Sequence, residues 1–222
     1  MAATQPRRWP ARLDAAVAHL RGADPTLRRL IDEVGDLGER GGRRGVRPDD
    51  HYGALVRAII GQQLSAKVAR VMNDRLYARY GGRPPTPAEV LAEDAEELRA
   101  AIGLSRAKVA FLRSLAEHVV GGELELERMN ELPDEDVIAA LIAVKGIGQW
   151  TAHMFLLFQL DRPDVLAVGD LGIRAAMRTA YGLDELPSPS EMERIAAPWR
   201  PYRSTACRFL WRSLDNEPPV TG

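Results

Sequence analysis

An all-α fold is predicted by three observations. Helix start and stop signals recur along the 222 residues, apolar side chains return at helical spacing between them, and strand signals are nearly absent. Asp24-Pro25 reads as an N-cap followed by proline at the first helical position, ahead of Leu27, Leu30 and Ile31. Gly35 to Pro48 is rich in glycine and arginine and is expected to form a mobile surface loop. Tyr52, Leu55, Val56, Ile59 and Ile60 keep a helical period until Gly61 interrupts it. Ser65 restarts a helix through Val68, Val71, Met72 and Leu76, which stops at Gly81-Gly82.

Thr86-Pro87-Ala88-Glu89 has the pattern of a capping box, and Asp94 to Glu97 repeats its spacing. Gly103 ends that short helix, and Ser105 opens a longer one through Val109, Leu112, Leu115 and Val119 to Gly121. Pro133 is expected to start a helix through Ile138 and Leu141, and Gln149 to Leu160 another. Asp170 is expected to cap a helix reaching Tyr181, Ser190 to Glu193 to form a further capping box, and Pro201 to open a last helix to Leu214. The sum is about ten helices with short connections. No internal repeat or long linker is visible, and Pro218 to Gly222 is expected to be a frayed tail.

The length allows one large domain or two lobes. The composition, 45% hydrophobic and 27% charged, is that of an ordinary globular protein, and no run approaches the ~18 apolar residues of a membrane span. Met1 to Arg12 carries charge and proline without an apolar core, so it does not read as a secretory signal. The single cysteine, Cys207, excludes an internal disulfide and a four-cysteine iron–sulfur cluster, and it reads as a buried helix residue. His19, His51, His118 and His153 show no metal-ligand spacing. The expected location is cytoplasmic, with no membrane partner. A net charge of −1 argues against coating nucleic acid by bulk electrostatics but leaves room for a local DNA-binding face. Of the 30 basic residues only Lys67, Lys108 and Lys145 are lysines. With so much alanine and glycine, a GC-rich genome accounts for the arginines, which therefore carry no functional weight.

The most informative stretch is Val144-Lys145-Gly146-Ile147-Gly148-Gln149-Trp150-Thr151-Ala152, followed by Val168-Gly169-Asp170. Two glycines one residue apart, between apolar runs, describe a tight turn joining two helices. Such a turn exposes backbone N–H groups at the start of the second helix, which can hold a phosphate. Asp170 stands at the expected start of the next helix. An uncharged phosphate grip and one placed carboxylate suit chemistry on DNA.

Four blocks, in order, resemble the helix-hairpin-helix superfamily of DNA base-excision glycosylases, in its 3-methyladenine DNA glycosylase II branch. They are Leu55 to Ser65 (containing Gly61-Gln62-Gln63-Leu64-Ser65), Gly103 to Lys108, Val144 to Ala152, and Val168 to Asp170. The resemblance covers roughly Asp24 to Trp211. It implies an all-α fold of two helical lobes, about 50–165 with the hairpin at 144–151, and 1–49 with 166–222, with an active-site cleft between them. It also implies minor-groove binding, flipping of the damaged nucleotide and hydrolysis of its N-glycosidic bond. Two departures stand out. The extra N-terminal α/β domain of some members is not expected here, and Lys145 replaces a proline common at that position.

The resemblance makes Asp170 the catalytic carboxylate. Breaking a glycosidic bond builds positive charge on the sugar, which a carboxylate stabilises, or it deprotonates the attacking water. The alternative is a plain N-cap, worth ~1 kcal/mol. Trp150 falls where strand-cleaving members carry a lysine nucleophile, and an indole cannot form a Schiff base. It can instead stack on a cationic alkylpurine, gaining ~0.5–2 kcal/mol; the alternative is a core tryptophan. Trp211 matches a second pocket aromatic, while Met154 and Tyr52 divide between pocket lining and core packing.

Gln62, Gln63 and Leu64 occupy the break where the family inserts side chains to fill the vacated stack, with Ser65 beside them as plug residue or helix cap. The amides of Gly146, Gly148 and Trp150 are expected to hold a backbone phosphate, with Thr151 adding a hydroxyl. Lys145 and Lys108 reach phosphates or are solvated surface charges. By resemblance, the carbonyls of Ile142, Val144 and Ile147 hold a structural Na⁺ or K⁺; no redox cofactor or catalytic metal is expected.

The resulting expectation is a monomeric, monofunctional glycosylase acting on alkylated purines such as 3-methyladenine in double-stranded DNA. The alternatives are a glycosylase for oxidised or deaminated bases on the same fold, and a helix-hairpin-helix protein that grips DNA without chemistry. Asp170 and the Gln62-Gln63 break speak against the last, because a pure binder needs neither.

Overall fold

A computed structural model of the chain describes residues 9–37 and 50–215. Among these residues there are twelve α-helices, two short 3₁₀ turns and no strand, and no helix is long and apolar enough to cross a membrane. The chain divides into two compact units, one built from Met1–Gly45 and Arg162–Gly222, the other from Val46–Asp161.

The discontinuous unit holds α1 (Trp9–Ala23), α2 (Pro25–Val34), α10 (Leu171–Tyr181), α11 (Pro189–Ala196) and α12 (Arg203–Asp215), with a 3₁₀ turn at Ala197–Trp199. In it α10 packs on α12 and α2, and α12 also packs on α2. Leu20, Leu27, Ile173, Met177, Trp199, Phe209 and Leu210 form its core. One buried carboxylate organises the far end. Asp24 caps α2 by accepting from Thr26 and Leu27 N–H at 2.8 and 3.1 Å. It also accepts from Tyr181 Oη–H at 2.6 Å and Trp199 Nε1–H at 2.9 Å. Burial pushes the Tyr181 phenol well above its usual pKa, so the hydroxyl stays a donor.

The segment that leads into α10 is stitched to the start of α12. Ser204 Oγ donates to the Arg162 carbonyl at 2.6 Å and accepts from Val165 N–H at 2.9 Å. The buried Arg203 guanidinium donates from Nε to Asp164 Oδ1 at 2.8 Å and from Nη1 to Glu193 Oε2 at 3.1 Å. These bonds fix where Asp170 begins its helix relative to α12.

The continuous unit holds α3 (His51–Gly61), α4 (Ala66–Arg79), α5 (Pro87–Ala92), α6 (Ala95–Ile102), α7 (Arg106–Val120), α8 (Asp134–Ile142) and α9 (Gln149–Phe158), with a 3₁₀ turn at Leu126–Arg128. Here α7 packs against α5 and α3, α4 against α3 and α6, and α9 against α8 and α3. Thr86 and Glu89 make the expected reciprocal capping box, and Gly103 ends α6 in the left-handed conformation at φ 84°.

Three boundaries differ from expectation. The first is α1, which has no start signal; it is held instead by Ala16 and Leu20, one turn apart and buried. The second is α11, which is capped by Ser188 rather than Ser190, its Oγ accepting from Glu191 N–H at 3.2 Å, because Pro189 fits the first helical position. The third is α12, which opens at Arg203 rather than Pro201, since Asp164 takes the Arg203 N–H from a distant segment. The expected loop from Gly35 to Pro48 lies, beyond Leu37, outside the described residues, as does the expected tail from Pro218 to Gly222.

The Asp24 cluster generates a stability prediction. Asp24→Ala strands two buried donors, each costing about 1–3 kcal/mol, and removes a cap worth about 1 kcal/mol. Chemical denaturation should show a loss of roughly 3 kcal/mol or more, and Tyr181→Phe a smaller one near 1 kcal/mol. Equal losses in the two variants would mean that Trp199 and the cap contribute nothing.

Candidate functional site

The candidate residues divide between the two units, beginning with Asp170 in the discontinuous unit. Asp170 is 9% exposed and is the N-cap of α10, its Oδ1 accepting from Ile173 N–H at 2.8 Å. The same oxygen accepts from Trp211 Nε1–H, also at 2.8 Å. One donor comes from the helix that Asp170 caps and the other from α12, so the carboxylate is oriented by two elements. Trp211 is half-buried. The expected pocket aromatic is therefore also a hydrogen-bond donor to the expected catalytic group. Gly172 eases this approach: a β-carbon there would lie 3.1 Å from Asp170 Oδ1 and 3.3 Å from Trp211 Cδ1, so the neighbours would have to give by a few tenths of an ångström.

In the continuous unit the turn between α8 and α9 is a tight hairpin. Val144 and Ile147 are buried and anchor it, with Ile147 N–H donating to the Val144 carbonyl at 3.0 Å. Between them Gly146 adopts φ 89°, a conformation that residues with a β-carbon avoid. The Phe111 ring lies directly against it: a β-carbon on Gly146 would fall 2.2 Å from Phe111 Cγ. Gly148 is the N-cap of α9 and supplies no side-chain cap, and the first turn has no acidic residue. The positive end of that helix is thus not neutralised locally, the condition for holding an anion. Gly148, Gln149 and Trp150 are exposed, Trp150 at 44%, and Lys145 is exposed beside them. Met154, half-buried, lies one turn beyond Trp150 on the same face.

The break between α3 and α4 also reaches the hairpin. Gln62 Nε2 donates to the Gly146 carbonyl at 2.8 Å, while Gln63 is exposed with φ 57° and Leu64 is half-buried. Ser65 is the N-cap of α4, its Oγ accepting from Val68 N–H at 3.4 Å.

The structure narrows three expectations. Lys108 is half-buried rather than fully solvated: its Nζ donates to the Ile60 carbonyl at 2.6 Å, and burial pushes its pKa down. Thr151 is 4% exposed and belongs to the packed face of α9 rather than to the open surface of the hairpin. Tyr52 is 7% exposed in the core face of α3, and its hydroxyl has no hydrogen-bond partner among the described residues. Burial raises the Tyr52 pKa, with smaller contributions from Tyr80 and Asp50. Phe111, Ser114 and Gly172 were not singled out from the sequence. Their only signal is position: Phe111 and Ser114 stand three and six residues beyond Lys108, and Gly172 two beyond Asp170.

Comparison with known proteins agrees with this geometry. The family model of the HhH-GPD superfamily of base excision DNA repair proteins matches residues 56–201. The chain is 34% identical to DNA-3-methyladenine glycosylase 1 of Schizosaccharomyces pombe over 90% of its own length and 87% of that protein. Among solved structures, that of the S. pombe 3-methyladenine DNA glycosylase in complex with abasic DNA matches with TM-score 0.80 and 33% identity. The match covers 90% of this chain and 97% of that one. DNA-3-methyladenine glycosidase from Bacillus halodurans matches with TM-score 0.77 and 33% identity, over 89% and 88% of the two chains.

The two glycines generate a paired prediction. Gly146→Ala combines a strained positive φ, about 1–3 kcal/mol, with overpacking against Phe111, about 1–3 kcal/mol. Its denaturation midpoint should fall markedly, and trimming Phe111 to Leu in the same chain should recover part of the loss. Gly172→Ala meets tighter but not overlapping neighbours and should change stability by under ~1 kcal/mol. A Gly146→Ala protein as stable as the parent would show that the ring does not press on the turn.

Proposed function

The chain belongs to the HhH-GPD superfamily of base excision DNA repair proteins, and from that membership we propose that it is a monofunctional DNA glycosylase. Its substrate is an alkylated purine such as 3-methyladenine in double-stranded DNA, and it acts as a monomer in the cytoplasm. The observation that carries the reading is the Asp170 carboxylate, buried at a helix N-terminus with Oδ1 held by Ile173 N–H and Trp211 Nε1–H. A carboxylate oriented by two donors is preorganised to face positive charge, the condition for electrostatic stabilisation of a transition state. The names of the relatives support the choice of substrate class.

The chemistry follows from the charge of the leaving group. An alkylated purine is cationic, so the N-glycosidic bond breaks with its electron pair passing to the base, which departs neutral. The sugar is left oxocarbenium-like. Asp170 stabilises that charge and accepts a proton from the water whose oxygen bonds to the anomeric carbon. The products are the free base and an intact abasic site. Trp150, exposed on the first turn of α9, offers a π-face to a cationic base. No amine stands at that position to open the sugar as a Schiff base. Among the described residues no three His, Cys, Asp or Glu side chains are grouped as around a metal ion. The α8 helix has no basic residue in its last turn, and the carbonyls of Ile142 at its end and of Val144 and Ile147 in the turn that follows would hold a monovalent cation, Na⁺ or K⁺, whose role is structural.

Two experiments test the reading. Asp170→Asn keeps an acceptor for Ile173 and Trp211 but removes the charge. Single-turnover excision from alkylated duplex should fall by at least ~10²-fold, with stability changed by no more than a fraction of the ~1 kcal/mol of a cap. Excision near the parent rate would return Asp170 to the role of a helix cap. In the second, the parent protein is incubated with alkylated duplex in EDTA. Strand breaks should appear only after alkali, at an undiminished rate; breaks without alkali would reveal an amine nucleophile, and loss of turnover restored by Mg²⁺ or Zn²⁺ a catalytic metal.

A further inference from the structure

The glycosylase reading leaves open how the α3–α4 break is held when a base is extruded, and α7 supplies an answer. Lys108, Phe111 and Ser114 recur every third residue and so run along one side of that helix. Each meets a different part of the DNA-facing end of the continuous unit. Lys108 Nζ donates to the carbonyl of Ile60, one residue before the end of α3, at 2.6 Å. The Phe111 ring closes on Gly146. Ser114 Oγ, in a buried residue, accepts from Lys145 N–H at 3.2 Å.

A fourth tie closes the ring from the other side, Gln62 Nε2 to the Gly146 carbonyl at 2.8 Å. A carbonyl oxygen only accepts, so it is the amide nitrogen of Gln62 that faces it. The circuit runs from α7 through Lys108 to Ile60, along the chain to Gln62, across to Gly146, and back through Phe111 to α7. Inside it, the polar ends of Gln62 and Lys108 are engaged by backbone carbonyls of the protein itself. Gln63, between half-buried Gln62 and Leu64, is left exposed, with its backbone in the left-handed region.

We infer that Gln62 and Lys108 are positioning residues rather than DNA contacts. They lock the α3–α4 break to the hairpin, so that the phosphate grip and the Gln63 side chain act on the duplex as one rigid body. The inference rests on the glycosylase reading for what the break does, and on hydrogen bonds within a single compact unit for how it does it. A rigid pairing matters because filling a vacated stack opposes its collapse only if the wedge cannot retreat when the backbone is gripped.

The test uses the full chain and the variants Gln62→Met and Lys108→Met, which keep length and remove the donor. The duplex carries 2-aminopurine next to an alkylated base, so that stopped-flow fluorescence reads unstacking ahead of bond cleavage. Both variants should lower the unstacked population by about ten-fold or more, the scale on which mispositioning acts. The double variant should lose little beyond the larger single loss, since both break one circuit. Affinity for undamaged duplex and its dependence on salt should match the parent.

A salt slope reduced by about one in Lys108→Met is the signature of a phosphate contact and overturns the inference. Unaltered unstacking in Gln62→Met, or no unstacking by the parent, overturns it as well. If Lys108→Met does not fold, Gln62→Met decides alone, because its side chain is only half-buried. Unstacking by the parent without excision would instead strike at the proposed function and leave the inference standing.

Discussion

The approach of Phe111 to Gly146 is the constraint on which the hairpin end of the continuous unit depends. A ring can lie that close to a backbone only where no β-carbon intervenes, and the turn can reverse there only with a positive φ. Both demands fall on one residue. With the ring in place, Val144 and Ile147 bury on either side of the turn, and α9 starts with its amides toward solvent. The hairpin is short and carries one basic side chain, the exposed Lys145, so an anion held there would meet backbone amides first and that lysine beside them.

The discontinuous unit solves a different problem, that of keeping a carboxylate buried yet aimed. Trp211 and Ile173 each give one N–H to Asp170 Oδ1, and Gly172 leaves room for the indole. The same device appears at Asp24, where two backbone amides, a phenol and an indole converge on one carboxylate. The two sites differ in purpose: Asp24 joins α2 to α10 and to the turn at Trp199, whereas Asp170 stands at the start of its helix, beside Leu171, which is 66% exposed. Burial with several donors is thus a device this unit uses twice, and the second instance is the candidate catalytic group.

What was legible in the sequence was local chemistry. The caps at Asp24, Ser105 and Asp170 and the glycine turn at Gly146 were readable because each is decided within a few residues by side-chain length or by the lack of a β-carbon. The starts of α11 and α12 were not. At α11 two serines compete and the proline between them decides, while at α12 the deciding group, Asp164, is 39 residues away. The same limit applies to the candidate site. Asp170 was found, but its bond to Trp211 spans 41 residues, that of Lys108 to Ile60 spans 48, and that of Gln62 to Gly146 spans 84. Residue type named the participants; only the packing of helices could say whether a lysine faces phosphate or a carbonyl.

The order of the two units along the chain has a consequence for the nascent protein. Residues Val46–Asp161 are contiguous, so the unit with the hairpin leaves the ribosome whole, while α1 and α2 wait for partners that have not yet been translated. Domains fold as units during synthesis. The unit bearing the hairpin is therefore complete before Asp170 is made, and the indole that orients Asp170 follows 41 residues later. A ribosome stalled just short of Trp211 would have released the contiguous unit while Asp170 still lacks the indole that orients it. The part proposed to bind is thus finished before the part proposed to react, and the interval is set by the speed of translation.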